Sequence, residues 1–130
     1  MAHEGYHEPV EELTDETRDM HRAIVSLMEE LEAVDWYQQR VDAARDPELK
    51  RILAHNRDEE KEHAAMVLEW LRRRDPSLDE QLRTYLFSQG EITTLEEAAM
   101  GRNGGTGGSI AQATSGDGSL GIGSLKNTNP

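Results

Sequence analysis

Two long stretches with helical period, joined by only a few residues, decide most of what this chain can fold into. Leu13, Thr17, Met20, Ile24, Leu27, Leu31 and Val34 follow one another in alternating steps of four and three. That spacing marks one stripe of an α-helix running from Leu13 to about Val41. Asp46-Pro47-Glu48 then reads as a helix start. Asp offers a capping oxygen, Pro already holds the φ of a first helical position, and Glu complements the positive helix end. The second helix is predicted from Pro47 to about Arg74, where three successive Arg residues suit its C-terminal dipole. So short a connection returns the second helix beside the first as an antiparallel hairpin.

Asp75-Pro76-Ser77 opens a third, shorter helix, with Ser77 and Glu80 at capping-box spacing. Its stripe is Leu78, Leu82, Tyr85 and Leu86, its expected stop Gly90, and a last helical turn is predicted from Thr94 to about Met100. Beyond Gly101 the composition changes: residues 101–118 include seven Gly among Ser, Thr, Asn and Gln, as in a flexible linker. Apolar residues return only in Ser119-Leu-Gly-Ile-Gly-Ser-Leu-Lys126. The chain therefore reads as all-α, with a flexible N-terminus over 1–12, a helical domain over 13–100, a tether over 101–118 and a terminal peptide over 119–130.

The 130 residues carry 26 acids against 14 Lys and Arg, a formal charge of −12, and every acid except Asp117 precedes Gly101. Such a surface repels phosphate backbones, which argues against nucleic acid and favours cations. The absence of Cys rules out disulfides and thiolate metal sites. No secretory pattern opens the chain and no stretch has the ~20 apolar residues of a membrane span, so the expectation is a soluble, cytoplasmic protein. Two long helices and one short one cannot bury both flanks of their stripes within one chain. Small cores of this kind need staples, metal or oligomerisation, and without Cys the last two remain.

The second helix holds polar residues where its stripe calls for apolar ones. Leu49, Leu53, Val67 and Trp70 bracket Asn56, Glu60 and His63. Glu60 and His63 fall within roughly 40° of the stripe centre. A buried carboxylate beside a buried imidazole is costly unless each is compensated. At i, i+3 the two share a face and can grip one cation, and their O and N donors suit iron, manganese or zinc. On the first helix Glu30 leans inward, roughly 65° from its stripe centre, whereas Glu29 and Glu32 lie well over ~100° away. Tyr37, seven residues on, is placed to hydrogen-bond the Glu30 carboxylate. The bland alternatives are a solvated face for the run Arg57-Asp-Glu-Glu-Lys-Glu62 and a water-filled polar patch in the core.

Ferritin-like di-iron sites take one Glu from each of two helices and Glu-x-x-His from each of two others. This chain offers one inward Glu and one Glu-x-x-His, half of that set. A two-fold dimer would join the halves into a ferritin-like four-helix bundle and bury the exposed stripes in the same step.

The runs His21-Arg-Ala-Ile-Val, Glu29-Glu-Leu-Glu-Ala-Val-Asp-Trp-Tyr37, Ala54-His-Asn-Arg-Asp-Glu-Glu-Lys-Glu-His-Ala64 and Arg83-Thr-Tyr-Leu-Phe87 resemble the encapsulated ferritins, ferroxidases housed in encapsulin shells. The resemblance covers roughly Glu8 to Glu97 plus the final peptide. It implies a ferroxidase centre of Glu30, Glu60 and His63 shared across a dimer, with Tyr37 in support. It also implies a ring-shaped decamer without its own storage cavity, and iron mineralised within the surrounding shell. Glu29 and Glu32, with Trp36 nearby, become an uptake site for metal; composition alone reads them as a solvated acidic face. Calcium or zinc are further candidates for such outer acidic sites. His55 and Glu59, at i, i+4, are either a relay for iron or a plain surface pair. The terminal peptide resembles the tag that docks cargo on the inner shell wall, with Leu120, Ile122 and Leu125 in pockets; composition alone reads a disordered tail. Two other functions remain open on the same residues: a di-metal peroxidase, and a non-catalytic metal-binding or cargo-adaptor module.

Overall fold

Thr14 sets the start of the first helix. In the computed structural model, which describes residues 5–103, its hydroxyl accepts a hydrogen bond from the Thr17 amide at 3.1 Å. Helix α1 accordingly spans Asp15–Ala43, two residues later than its apolar stripe begins. Helix α2 spans Pro47–Arg74 as predicted, and the Asp46 carboxylate caps it by accepting from the Leu49 amide at 2.8 Å. Within the segment expected to be a flexible terminus, Val10–Glu12 form one 3-10 turn. The Arg18 guanidinium donates to the Val10 carbonyl at 2.6 and 3.1 Å, and the Tyr6 ring stacks on His21 with centroids 4.4 Å apart.

The chain divides into two compact units at the Asp75–Pro76 junction. The first holds the α1–α2 hairpin; the second holds α3, Pro76–Tyr85, and α4, Ile92–Asn103. Among the described residues there is no strand, and no helix is long and apolar enough to cross a membrane. Three details of the later helices differ from expectation. Helix α3 begins at Pro76, so Ser77 lies inside its first turn and does not cap it. It also ends at Tyr85, before Gly90: Phe87 turns to φ 60, a left-handed conformation that breaks the helix. Helix α4 is longer than one turn because Glu91 caps it, accepting from the Thr94 amide at 3.0 Å, and Leu95-Glu-Glu-Ala-Ala-Met100 favours helix. Residues 104–118 of the expected linker and the peptide with Leu120, Ile122 and Leu125 lie outside the described residues.

The hairpin packs along a seam rotated from the stripe read in the sequence. On α1 the seam runs through the partly buried Met20, Ala23, Leu27, Glu30, Val34, Tyr37 and Val41, again in steps of three and four. Ile24 and Leu31, expected inside, stand 45% and 55% exposed. On α2 the seam is Leu53, Arg57, Glu60, Ala64, Val67 and Leu71. Ala64 and Leu71 are the buried residues among those described, whereas Leu49, Ile52 and Met66 remain about half-exposed. The physical reason is that one helix covers only one flank of a broad apolar stripe. The other flank, Met66 included, stays open in a single chain.

Candidate metal centre

The seam rotation carries Glu30 and Glu60 to facing positions where the two helices meet. His63, one turn beyond Glu60, leans over the same spot. Its Nδ1 lies 3.2 Å from Glu60 Oε1 and 3.6 Å from Glu30 Oε1. One ligand atom from each of the three falls within 4.8 Å of the others, and among the described residues this is the grouping of three such side chains that could hold a metal ion. The carboxylates are about a quarter exposed and the imidazole 42%, so the cluster opens onto the uncovered flank of the hairpin.

The three groups shift one another's titration. The hydrogen bond with Glu60, helped by burial and the Glu60 charge, raises Glu30 above the usual carboxylate range. The same bond lowers Glu60, with His63 adding to the effect. The opposite directions of the two shifts reflect the cost of two like charges facing each other across the seam. His63 is raised, chiefly by its hydrogen bond to Glu60 and then by the Glu30 and Glu60 charges, against the opposing effect of burial. A divalent cation is the natural countercharge for such a pair. Two carboxylate oxygens and one imidazole nitrogen, aimed at one point and open on one side, fit such an ion and leave coordination positions free.

The other expected residues stand apart from the cluster. Tyr37 is partly buried on the seam, but among the described residues no hydrogen bond joins it to Glu30; the Arg40 guanidinium lies over its ring, 5.3 Å from the centroid. Glu29 and Glu32 are exposed, and Trp36 lines a shallow surface groove with Gln39 and Arg40. His55 Nε2 sits 3.7 Å from Glu59 Oε2 as an exposed pair.

Sequence reasoning missed Arg57. It was grouped with a solvated charge run, yet it occupies the seam and its side chain is only 20% exposed. Its Nη1 donates to Gln38 Oε1 on α1 at 2.8 Å, and its Nε donates to Asp58 at 2.9 Å. Position 57 continues the steps Leu53, Glu60, Ala64, Val67 and Leu71, and that register was the available signal.

Known proteins resemble the chain closely. A family model described as EncFtn-like matches residues 5–89. An encapsulated ferritin-like protein of Rhodospirillum rubrum is 67% identical over 121 residues, which is 92% of this chain and 86% of the relative. A ferritin-like protein of Thermotoga maritima is 58% identical over 105 residues, 81% of this chain and 92% of the relative. A shorter match, 45% identical over 47 residues and 36% of each chain, links it to the encapsulin nanocompartment cargo protein EncC of Myxococcus xanthus. Among solved structures, a Nitrosomonas europaea protein is 70% identical with a TM-score of 0.66, covering 68% of this chain and 97% of that one.

Proposed function

The chain belongs to the EncFtn-like family, and from that membership and the Glu30–Glu60–His63 cluster we propose that it is a ferroxidase, oxidising Fe(II) to Fe(III) with O₂. The observation that carries the reading is the convergence of those three side chains within 4.8 Å on the open flank of a hairpin. One chain supplies half of a carboxylate-bridged two-iron ligand set, and a second copy supplies the other half. The partner also covers Ile24, Leu31, Ile52 and Met66, which a lone hairpin leaves exposed. Such dimers would assemble further into a ring, with a decamer as the expected form.

Fe(II) is the substrate. Two Fe(II) held side by side give up two electrons together, and O₂ accepts them with two protons, so no one-electron radical need escape. The residues of the chain bind and orient the metal. Carboxylate oxygens of Glu30 and Glu60 favour the ferric product, and His63 supplies the nitrogen donor that closes its side of the site. The exposed Glu29 and Glu32 beside Trp36, together with the formal charge of −12, concentrate Fe(II) at the surface. His55 and Glu59 extend that acidic route on α2, and calcium or zinc are competing occupants of such outer positions. Tyr37 orients the Glu30 side once the partner is in place.

The names of two relatives, encapsulated ferritin-like protein and encapsulin cargo protein, support housing within an encapsulin compartment. In this reading Leu120, Ile122 and Leu125 dock on the shell and residues 104–118 tether them. Oxidised iron is then mineralised in the shell.

The deciding experiment is O₂ consumption while Fe(II) is titrated into the protein. A burst saturating at about one iron per chain is expected, because two chains share two irons. Glu60→Ala and His63→Ala should each reduce the burst to the buffer rate. Full activity in both would reject the site, and no burst in the parent protein would leave a metal-binding or adaptor module.

A further inference from the structure

The two helices are held together unevenly on either side of the metal cluster. The buried residues of the hairpin, Ala64 and Leu71, both lie on the side of Glu60 away from the loop. On the loop side the seam carries Leu53 and Arg57, neither fully buried. There the side-chain hydrogen bond that joins α1 to α2, among the described residues, is the one from Arg57 Nη1 to Gln38 Oε1 at 2.8 Å.

Both ends of this bond are braced. Gln38 Nε2 donates to Asp42 Oδ1 at 3.0 Å, which turns its carbonyl oxygen toward α2. Arg57 Nε donates to Asp58, whose carboxylate also lies 3.5 Å from Lys61 Nζ. The guanidinium therefore spans the seam within an Asp42–Gln38–Arg57–Asp58 chain. It does not serve as countercharge to the metal ligands: the groups that shift Glu30 and Glu60 are each other, burial and His63.

Arg57 is one helical turn from Glu60, and Gln38 is two turns from Glu30, a rise of ~4.5 and ~12 Å along their helices. The buried Ala64 and Leu71 fix the spacing of the helices on one side of the carboxylate pair, and the Arg57–Gln38 clasp is placed to fix it on the other. We propose that Arg57 and Gln38 are positioning residues for the metal cluster: their bond sets the spacing of α1 and α2 at Glu30 and Glu60, and with it how tightly the pair grips a divalent cation.

The proposal rests on the metal-binding part of the reading above, so its test uses Co(II) binding and is independent of ferroxidase activity. Co(II) is titrated into full-length protein, with affinity and the visible absorption of the bound ion as readouts, at fixed oligomeric mass. Arg57→Met and Gln38→Leu are expected to weaken binding roughly tenfold to a hundredfold, as loss of outer partners of metal ligands does. The double variant should lose no more than either single one, because both remove one bond. Arg57→Lys keeps a charged donor for Gln38 Oε1 and leaves the Gln38–Asp42 brace intact, so it should recover most of the parent's affinity, with its absorption bands; a merely destabilised fold does not predict that rescue. Parent-like affinity and spectrum in both single variants would overturn the proposal, as would additive losses or a change in oligomeric mass in place of affinity. Absence of Co(II) binding by the parent protein would overturn it together with the metal centre, whereas absence of O₂ consumption with Co(II) affinity still dependent on the clasp would reject only the ferroxidase step.

Discussion

Glu30, Glu60 and His63 each titrate in a direction set by the other two, and the signs decide how metal uptake depends on pH. Glu30 is raised, so the stability of its protonated form is present at low pH and is lost as pH rises through its folded value. His63, raised above 6.5, follows the same rule: its contribution is full below 6.5 and lost as pH climbs past the raised value. Glu60 is lowered from 4.5 and runs the other way, contributing above 4.5 and losing that contribution as pH falls. Because Glu30 and His63 are both raised, a cation competes with protons for both groups. Co(II) binding should release protons and tighten as pH rises past the His63 value. Calorimetry in buffers of different ionisation enthalpy should find more protons released at pH about 6.5 than at about 8; equal release at both would contradict these directions.

At the scale of the element, the helix starts and the packing registers were not equally legible. Asp46-Pro47 announced α2 to the residue, because the capping carboxylate and the fixed φ of Pro act locally. Asp46→Ala should therefore cost about 1 kcal/mol of stability, read from urea unfolding of the metal-free protein. It should leave the Co(II) spectrum unchanged, since the cap lies at the far end of α2 from His63. Ser77 misled for the same local reason: its spacing to Glu80 matched a capping box, but Pro76 had already begun the helix. The end of α3 was missed because Gly90 was the visible breaker, while the left-handed turn is made by Phe87. Arg57 was read as solvated because charge runs usually are, and its place on the seam emerged only when the helices were paired.

For the whole molecule, the proposed two-chain site would make assembly part of the chemistry. Leu31 and Ile52 are 55% and 50% exposed in a single chain. Leu31→Lys or Ile52→Lys should leave Glu30, Glu60 and His63 in place and yet prevent association, as seen by sedimentation, and remove the rapid Fe(II) oxidation with it. Oxidation by a monomeric variant would show that one chain suffices. Truncation after Asn103 should do the reverse, sparing oxidation while abolishing co-purification with the shell protein. Retained shell association would place the docking element within residues 1–103.

What sequence alone determined follows from local physics. Caps, Pro and a period of 3.6 define two long helices and a short connection, and Glu60-x-x-His63 must share one helix face whatever surrounds it. Even Glu30 was identifiable as the inward-leaning acid of its helix. Only the tertiary structure decided which flank of each broad stripe forms the seam, because either flank is apolar enough and the choice depends on how both helices pack at once. That choice moved Ile24 and Leu31 outward, brought Glu30 onto Glu60 and His63, and turned Arg57 across to Gln38.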